Sequence, residues 1–143
     1  MSDDEDLRRR RTQVVLDHMR SENEHRFDDT IATFAHPRYE LVASGEVYDG
    51  EEAVREYYRT SRALVPDQSN ELISMYHSDD GVGIEMWLRG TPRHGDQDGT
   101  TPFEIRLAAF FEFADDRIVC ERVYWDRRSV AEQVRGVADP SSR

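Results

Sequence analysis

Lysine is absent from this chain, and all 19 basic residues are arginines. Against 30 acidic residues they leave a formal net charge of -11. That balance excludes a nucleic-acid binder, which needs a basic face. The only basic run, Arg8 to Arg11, directly follows Asp3, Asp4, Glu5 and Asp6 and is expected to pair with them. Cysteine is nearly absent too: Cys120 stands alone, so no internal disulfide can form. No apolar run approaches the roughly 18 residues of a membrane span, so no membrane partner is expected. The opening M-S-D-D-E-D carries no apolar stretch and does not read as a secretory signal. With a lone thiol, the expected location is the cytoplasm. There is no Gly-rich phosphate loop and no nucleophile elbow. Nor does any Cys/His/carboxylate spacing suit a metal, so neither cofactor nor metal is expected.

What is present fits one globular domain. The 143 residues suffice for a single core, expected over 1–135 with a tail at 136–143. The stretch that organises the rest is 103–126, two strands turning at Asp115-Asp116. A two-residue turn pairs Phe113 with Ile118, Phe111 with Cys120, Ala109 with Arg122, Leu107 with Tyr124 and Ile105 with Asp126. Strand parity then puts all ten on one face, so Arg122, Tyr124 and Asp126 project inward beside apolar neighbours. A second hairpin at 70–91 turns at Asp79-Asp80 and aligns Ile73, Met75 and His77 with Val82, Ile84 and Met86. Helices are expected at about 6–26, with Val15, Met19, Asn23 and Phe27 inward, and at 29–35, capped by Asp28. Two more are expected at about 50–64, capped by Asp49, and from 127 to about 134. Short strands fall at 39–43 and 46–48. The order predicts an α+β fold: a cone-shaped, curved antiparallel sheet with helices over its concave face. Phe110, Val119, Val123 and Trp125 fall on the outer face, an apolar surface that suggests a homodimer.

Segments along the chain resemble a known family. They are F-A-H-P-R-Y-E (34–40), G-E-V-Y-D-G-E-E-A-V (45–54), P-D-Q-S-N-E-L (66–72), D-D-G-V-G-I-E (79–85), R-G-T (89–91) and R-I-V-C-E-R-V-Y-W-D (117–126). In this order and spacing the chain resembles the nuclear transport factor two-like superfamily, in its SnoaL-like polyketide cyclase and ketosteroid-isomerase-like branch. The resemblance implies a conical pocket for a small, largely apolar organic ligand. It also implies cofactor-independent acid/base chemistry, such as aldol closure or isomerisation. A non-catalytic binding or dimerisation module is the alternative, and an epoxide-hydrolase-like site is a third. Asp126 matches the branch's general acid and base, and His36 a position near the cavity mouth. The branch's G-T-H-x-G reads G-T-P-R-H-G here, so Pro92 stands in the histidine position and His94 is displaced.

Each candidate also has a structural role open to it. Asp126 could cap the last helix, although Ser129 and Glu132 offer another start. Arg122 could pair with Glu40 or Glu85, or bind a substrate anion. Tyr124 could donate to a ligand oxygen or to backbone. His36 could end a helix, and His77 could be a satisfied core histidine. Asn23 could face a cavity, and Trp87 a rim or an interface. His18, His25 and His94 are expected in solvent.

Overall fold

The computed structural model describes residues 2–93 and 101–134, so the expected tail and His94 lie outside the described residues. The element order is α1 (Asp3–Asn23), α2 (Phe27–Ala32), β1 (Arg38–Leu41), β2 (Glu46–Asp49), α3 (Glu51–Leu64), β3 (Ser69–His77), β4 (Gly81–Gly90), β5 (Phe103–Ala114), β6 (Arg117–Tyr124) and α4 (Arg127–Val134). The strands form one curved, unclosed sheet in the order β2-β1-β6-β5-β4-β3. All neighbours are antiparallel except β1 and β6. The expected α+β architecture is the one found. Among the described residues, no helix is long and apolar enough to cross a membrane.

Local chemistry sets the helix ends. The Ser2 side chain accepts the Glu5 amide at 3.1 Å, and four acids fill the first turn of α1, where the helix dipole favours negative charge. The buried stripe of α1 is Arg11, Val15, His18 and Glu22 with Met19, not the stripe through Asn23 and Phe27. The 4-3-4 spacing of the first four places them on one helical face. Helix α2 starts at Phe27, and Asp28 does not cap it. Helix α3 starts after Gly50, whose φ of 93° suits glycine; the Asp49 carboxylate is engaged by His36 and Arg38 instead.

Both hairpins turn where expected, with His77 opposite Val82 and Phe113 opposite Ile118. Each then slips by one residue. The β3–β4 ladder shifts between Leu72 and Ser74, leaving Ile73 as the extra residue and 38% exposed. The β5–β6 ladder shifts between Glu112 and Phe113, which pair with Cys120 and Ile118 and leave Val119 as the extra residue. A bulge of this kind bends the strand and reverses its side-chain parity beyond it. On β6 it turns Glu121 (3% exposed) and Val123 (8%) inward and Tyr124 (42%) outward. The pairings expected for Arg122, Tyr124 and Asp126 are therefore corrected: Arg122 sits opposite Phe110, Tyr124 opposite Ala108, and Asp126 lies beyond the ladder.

The arginine run ties the hairpin tips to α1. Arg8 and Arg10 pair with Asp4 and Asp6, as expected, and also reach Asp79 and Asp116. Arg11 donates to the carbonyls of Asp115 (2.7 Å) and Asp79 (3.0 Å), one in each turn. Gly81 is required beside that tip, because a Cβ there would lie 2.0 Å from the Phe111 carbonyl oxygen.

Candidate functional site

The register of β1, β6 and β5 stacks the inner face in layers. Leu41 and Val123 are paired neighbours, with Ala109 across from Val123; one layer deeper stand Tyr39, Glu121 and Phe111. Toward the open end of the sheet, α3 and α4 close over these strands and leave an apolar pouch of about 460 Å3. Its walls include Leu41, Leu88, Ile105, Leu107, Val123, Trp125 and Val130. Helix α4 is fixed there because the Gln133 side chain accepts the Glu104 amide (2.7 Å) and donates to the Glu104 carbonyl (2.9 Å). It thereby supplies β5 with the pairing that β6, ending at Tyr124, does not reach. Polar lining comes from Tyr57, Ser61, Gln68, Arg93 and Arg127, and no carboxylate is among the lining residues described. A larger trough of about 600 Å3 beside α1 and α2 is lined by acids and arginines together and is a charged surface groove.

Beneath the pouch lies a buried polar network. Tyr57 packs on Tyr39 and Tyr58, with ring centroids 5.1 and 5.8 Å away. The Tyr39 hydroxyl donates to Glu22 (3.1 Å) and is 2.6 Å from the Tyr58 hydroxyl, which is left as the donor between them. His18, fully buried, contacts the Thr33 hydroxyl through Nδ1 (2.9 Å). That hydroxyl donates to the Thr30 carbonyl, so Nδ1 carries the proton between them. His18 Nε2 lies 2.7 Å from Glu121 and 3.5 Å from Glu22. Arg62 lies 3.6 Å from Glu22 and over the rings of Phe27 and Tyr58, its Nε unpartnered among the described residues.

Two acids thus face two cations, which is how a low-dielectric interior tolerates four ionisable groups. Burial would lower the His18 pKa, but Glu22 and Glu121 outweigh it and raise it. Burial and the charge of Glu22 raise the Glu121 pKa despite His18. The pair therefore holds its proton more firmly than either group would in water. Burial pushes the Tyr57 phenol up as well, with Arg62 opposing, so it stays protonated at neutral pH. His18, Glu22 and Glu121 bring candidate metal-ligand atoms within 4.8 Å of one another. A cation there would have to break the His18–Glu121 bond beside the charge of Arg62, so the set is a closed ion-pair network.

The residues singled out from sequence lie elsewhere. Asp126 is at the surface, accepting the Arg128 amide (3.0 Å) and the Ser129 hydroxyl (2.8 Å); these bonds lower its pKa and make it the cap of α4. Arg122 pairs with Glu112 (2.9 Å) and Glu40 (3.5 Å) on the outer face. That is the pair of carboxylates an epoxide hydrolase needs, but outside the pouch. Tyr124 packs edge-on against Phe110 on the same outer face. His36 is exposed and 2.8 Å from Asp49. His77 bonds Thr12 (2.8 Å), with Nδ1 unpartnered among the described residues. Asn23 clamps the backbone of Asn70 (2.9 and 2.8 Å), and Trp87 lies between Arg89 and Arg106, each 5.7 Å away. The inward orientation expected of Asp126, Arg122 and Tyr124 is not found, because the Val119 bulge reverses the strand before it reaches them. His18, expected in solvent, and Glu121, expected on the outer face, are instead central. The Arg11-Val15-His18-Glu22 spacing was the signal that could have found His18.

Comparison with known proteins agrees with this geometry. A profile of the SnoaL-like domain matches residues 15–121. A phenazine biosynthesis-related protein from Pseudomonas aeruginosa superposes with a TM-score of 0.80 at 18% identity, covering 98% of this chain and 89% of that one. A polyketide cyclase-like protein from Xanthomonas campestris pv. campestris gives 0.75 at 20% identity, covering 90% and 98%. A protein of ketosteroid isomerase-like fold from Catenulispora acidiphila, in complex with trimethylamine, gives 0.75 at 19% identity, covering 85% and 91%. No curated protein matches the chain.

Proposed function

The chain belongs to the SnoaL-like domain family, and on that premise we propose that it binds a small, largely apolar organic molecule in the pouch, with a ligand oxygen at Tyr57. The observation that carries this reading is the pouch itself: apolar walls, no described carboxylate, and one phenol backed by Arg62. A phenol whose pKa is raised is a donor and not a base. Its role is to hold a carbonyl or enolate oxygen.

The test is a thermal-shift screen of ketones and polycyclic aromatics on the parent and on Tyr57→Phe. A carbonyl ligand of the parent should bind the variant about three- to tenfold more weakly, the effect of one lost hydrogen bond. Equal binding to both proteins would refute the role of Tyr57.

A second reading adds catalysis: cofactor-independent aldol-type closure or isomerisation, with Tyr57 stabilising the developing oxyanion. The buried charge network directly behind the phenol favours it. Conversion of a bound ketone should then fall about a hundredfold in Tyr57→Phe. Binding without conversion in the parent would leave a non-catalytic module. In the same proposal two copies pair in the cytoplasm through the outer face, where Phe110, Tyr124 and Tyr76 are exposed. Phe110→Asp should give a monomer in sedimentation, and an unchanged mass would refute the dimer.

A further inference from the structure

In a chain of net charge -11, the described lining of the pouch contains no acid and two arginines, Arg93 and Arg127. Every other described arginine holds a carboxylate or a backbone carbonyl. Arg8, Arg9, Arg10, Arg20, Arg26, Arg38, Arg55, Arg59, Arg62, Arg89, Arg106, Arg122 and Arg128 are ion-paired. Arg11 and Arg117 donate to carbonyls. Among the described residues, only the Arg93 and Arg127 guanidiniums have neither, and both stand on the same pouch. Glu46 feels the charge of Arg127, but its carboxylate accepts the Tyr48 hydroxyl.

Backbone contacts hold both arginines in place. The Arg93 amide donates to the Leu64 carbonyl at 2.8 Å, anchoring it to the C-terminal end of α3. Arg127 is the first residue of α4, directly after its cap Asp126. Two guanidiniums without a partner among the described residues, on backbone-anchored positions beside apolar walls, suit an anion attached to an apolar body.

We propose that the ligand of the pouch is a flat apolar carboxylic acid, its carboxylate held by Arg93 and Arg127 and its ring system directed inward toward Tyr57. This rests on the pouch being the binding site. The overall negative charge does not prevent it. Charges beyond a Debye length of about 8 Å at physiological salt are largely screened, whereas the two arginines would touch the ligand.

The experiment compares anthracene-2-carboxylic acid with anthracene-2-carboxamide, nearly equal in shape but not in charge, by fluorescence titration of the full chain. The acid should bind at least about tenfold tighter, the effect of a charged hydrogen-bonded pair. The double variant Arg93→Gln/Arg127→Gln should bring the ratio to about one, chiefly by weakening the acid. Arg59→Gln, a surface arginine paired with Glu56, should keep the parent ratio. Equal binding of acid and amide by the parent overturns the inference and leaves the pouch reading standing. So does an acid preference that survives the double variant, or one that Arg59→Gln also removes. Binding of neither compound overturns both.

Discussion

β5 and β6 are neighbouring strands of similar composition, yet one obeys simple alternation and the other does not. Along β5, Phe103, Ile105, Leu107, Ala109, Phe111 and Phe113 are all buried, and the residues between them face outward without interruption. Along β6, Ile118, Glu121 and Val123 point inward, three and then two residues apart, while Cys120, also buried, stands opposite Glu112 on the outer face. The difference is the single extra residue Val119. It delivers a carboxylate to His18 in the core and sends Arg122 to Glu112 and Glu40 outside. The cost of burying Glu121 is offset only by the partners that α1 and α3 bring to it.

The harshest way to break this comparison is to exchange the two neighbours that the bulge sorts, in the double variant Glu121→Arg/Arg122→Glu. The exchange puts a guanidinium beside His18 and Arg62 in place of their carboxylate, which is beyond the stability of a typical domain. Circular dichroism should show no cooperative unfolding; a normal transition would mean that the facing of these two residues does not matter. A gentler version compares two adjacent residues of β6. Glu121→Ala should lower the unfolding free energy by about 3–5 kcal/mol, because it uncouples buried charges. Arg122→Ala should cost only about 0–1 kcal/mol, since its pairs are partly solvated and screened. Urea titration of both variants decides. Similar losses would mean that parity does not separate them.

Much of the fold was legible because its signals are local. Both hairpin turns, the α+β order and every inward residue of β5 follow from alternation and turn chemistry. The site was less legible because it depends on one inserted residue that no local signal marks. Val119 is an ordinary strand former, and nothing in I-V-C-E-R-V distinguishes a bulged strand from a regular one. One step of register was enough to exchange Arg122 and Tyr124 for Glu121 and Val123. His18 and Glu22 were missed for another reason: they lie on the buried stripe of α1, but polarity argued for solvent. The pattern Arg11-Val15-His18-Glu22 makes sense once Glu121 and Arg62 are known to face it from β6 and α3.

The smallest effect concerns two histidines that lie on either side of the bulge comparison. His18 meets Glu22 of its own helix, Glu121 of β6, Thr33 and Tyr39, with Arg62 of α3 nearby, and its pKa is raised above 6.5. His77, at the regular end of β3, meets Thr12; burial, Arg8 and Arg11 lower its pKa below 6.5. The native state therefore binds more protons than the unfolded chain at His18 and fewer at His77. By linkage, the His18 contribution is complete below about pH 6.5 and is lost as pH climbs through its raised native value. The His77 contribution is complete above about pH 6.5 and is lost as pH falls through its depressed value. Unfolding free energies of His18→Gln and His77→Gln, measured from pH 5 to 9 against the parent, should differ in opposite limbs. His18→Gln should flatten the decline on the alkaline side, and His77→Gln the decline on the acid side. Each unit of pKa shift is worth about 1.4 kcal/mol, which sets the scale of either limb. If both variants flatten the same limb, the inner network does not hold its proton in the way the geometry of Glu121 requires.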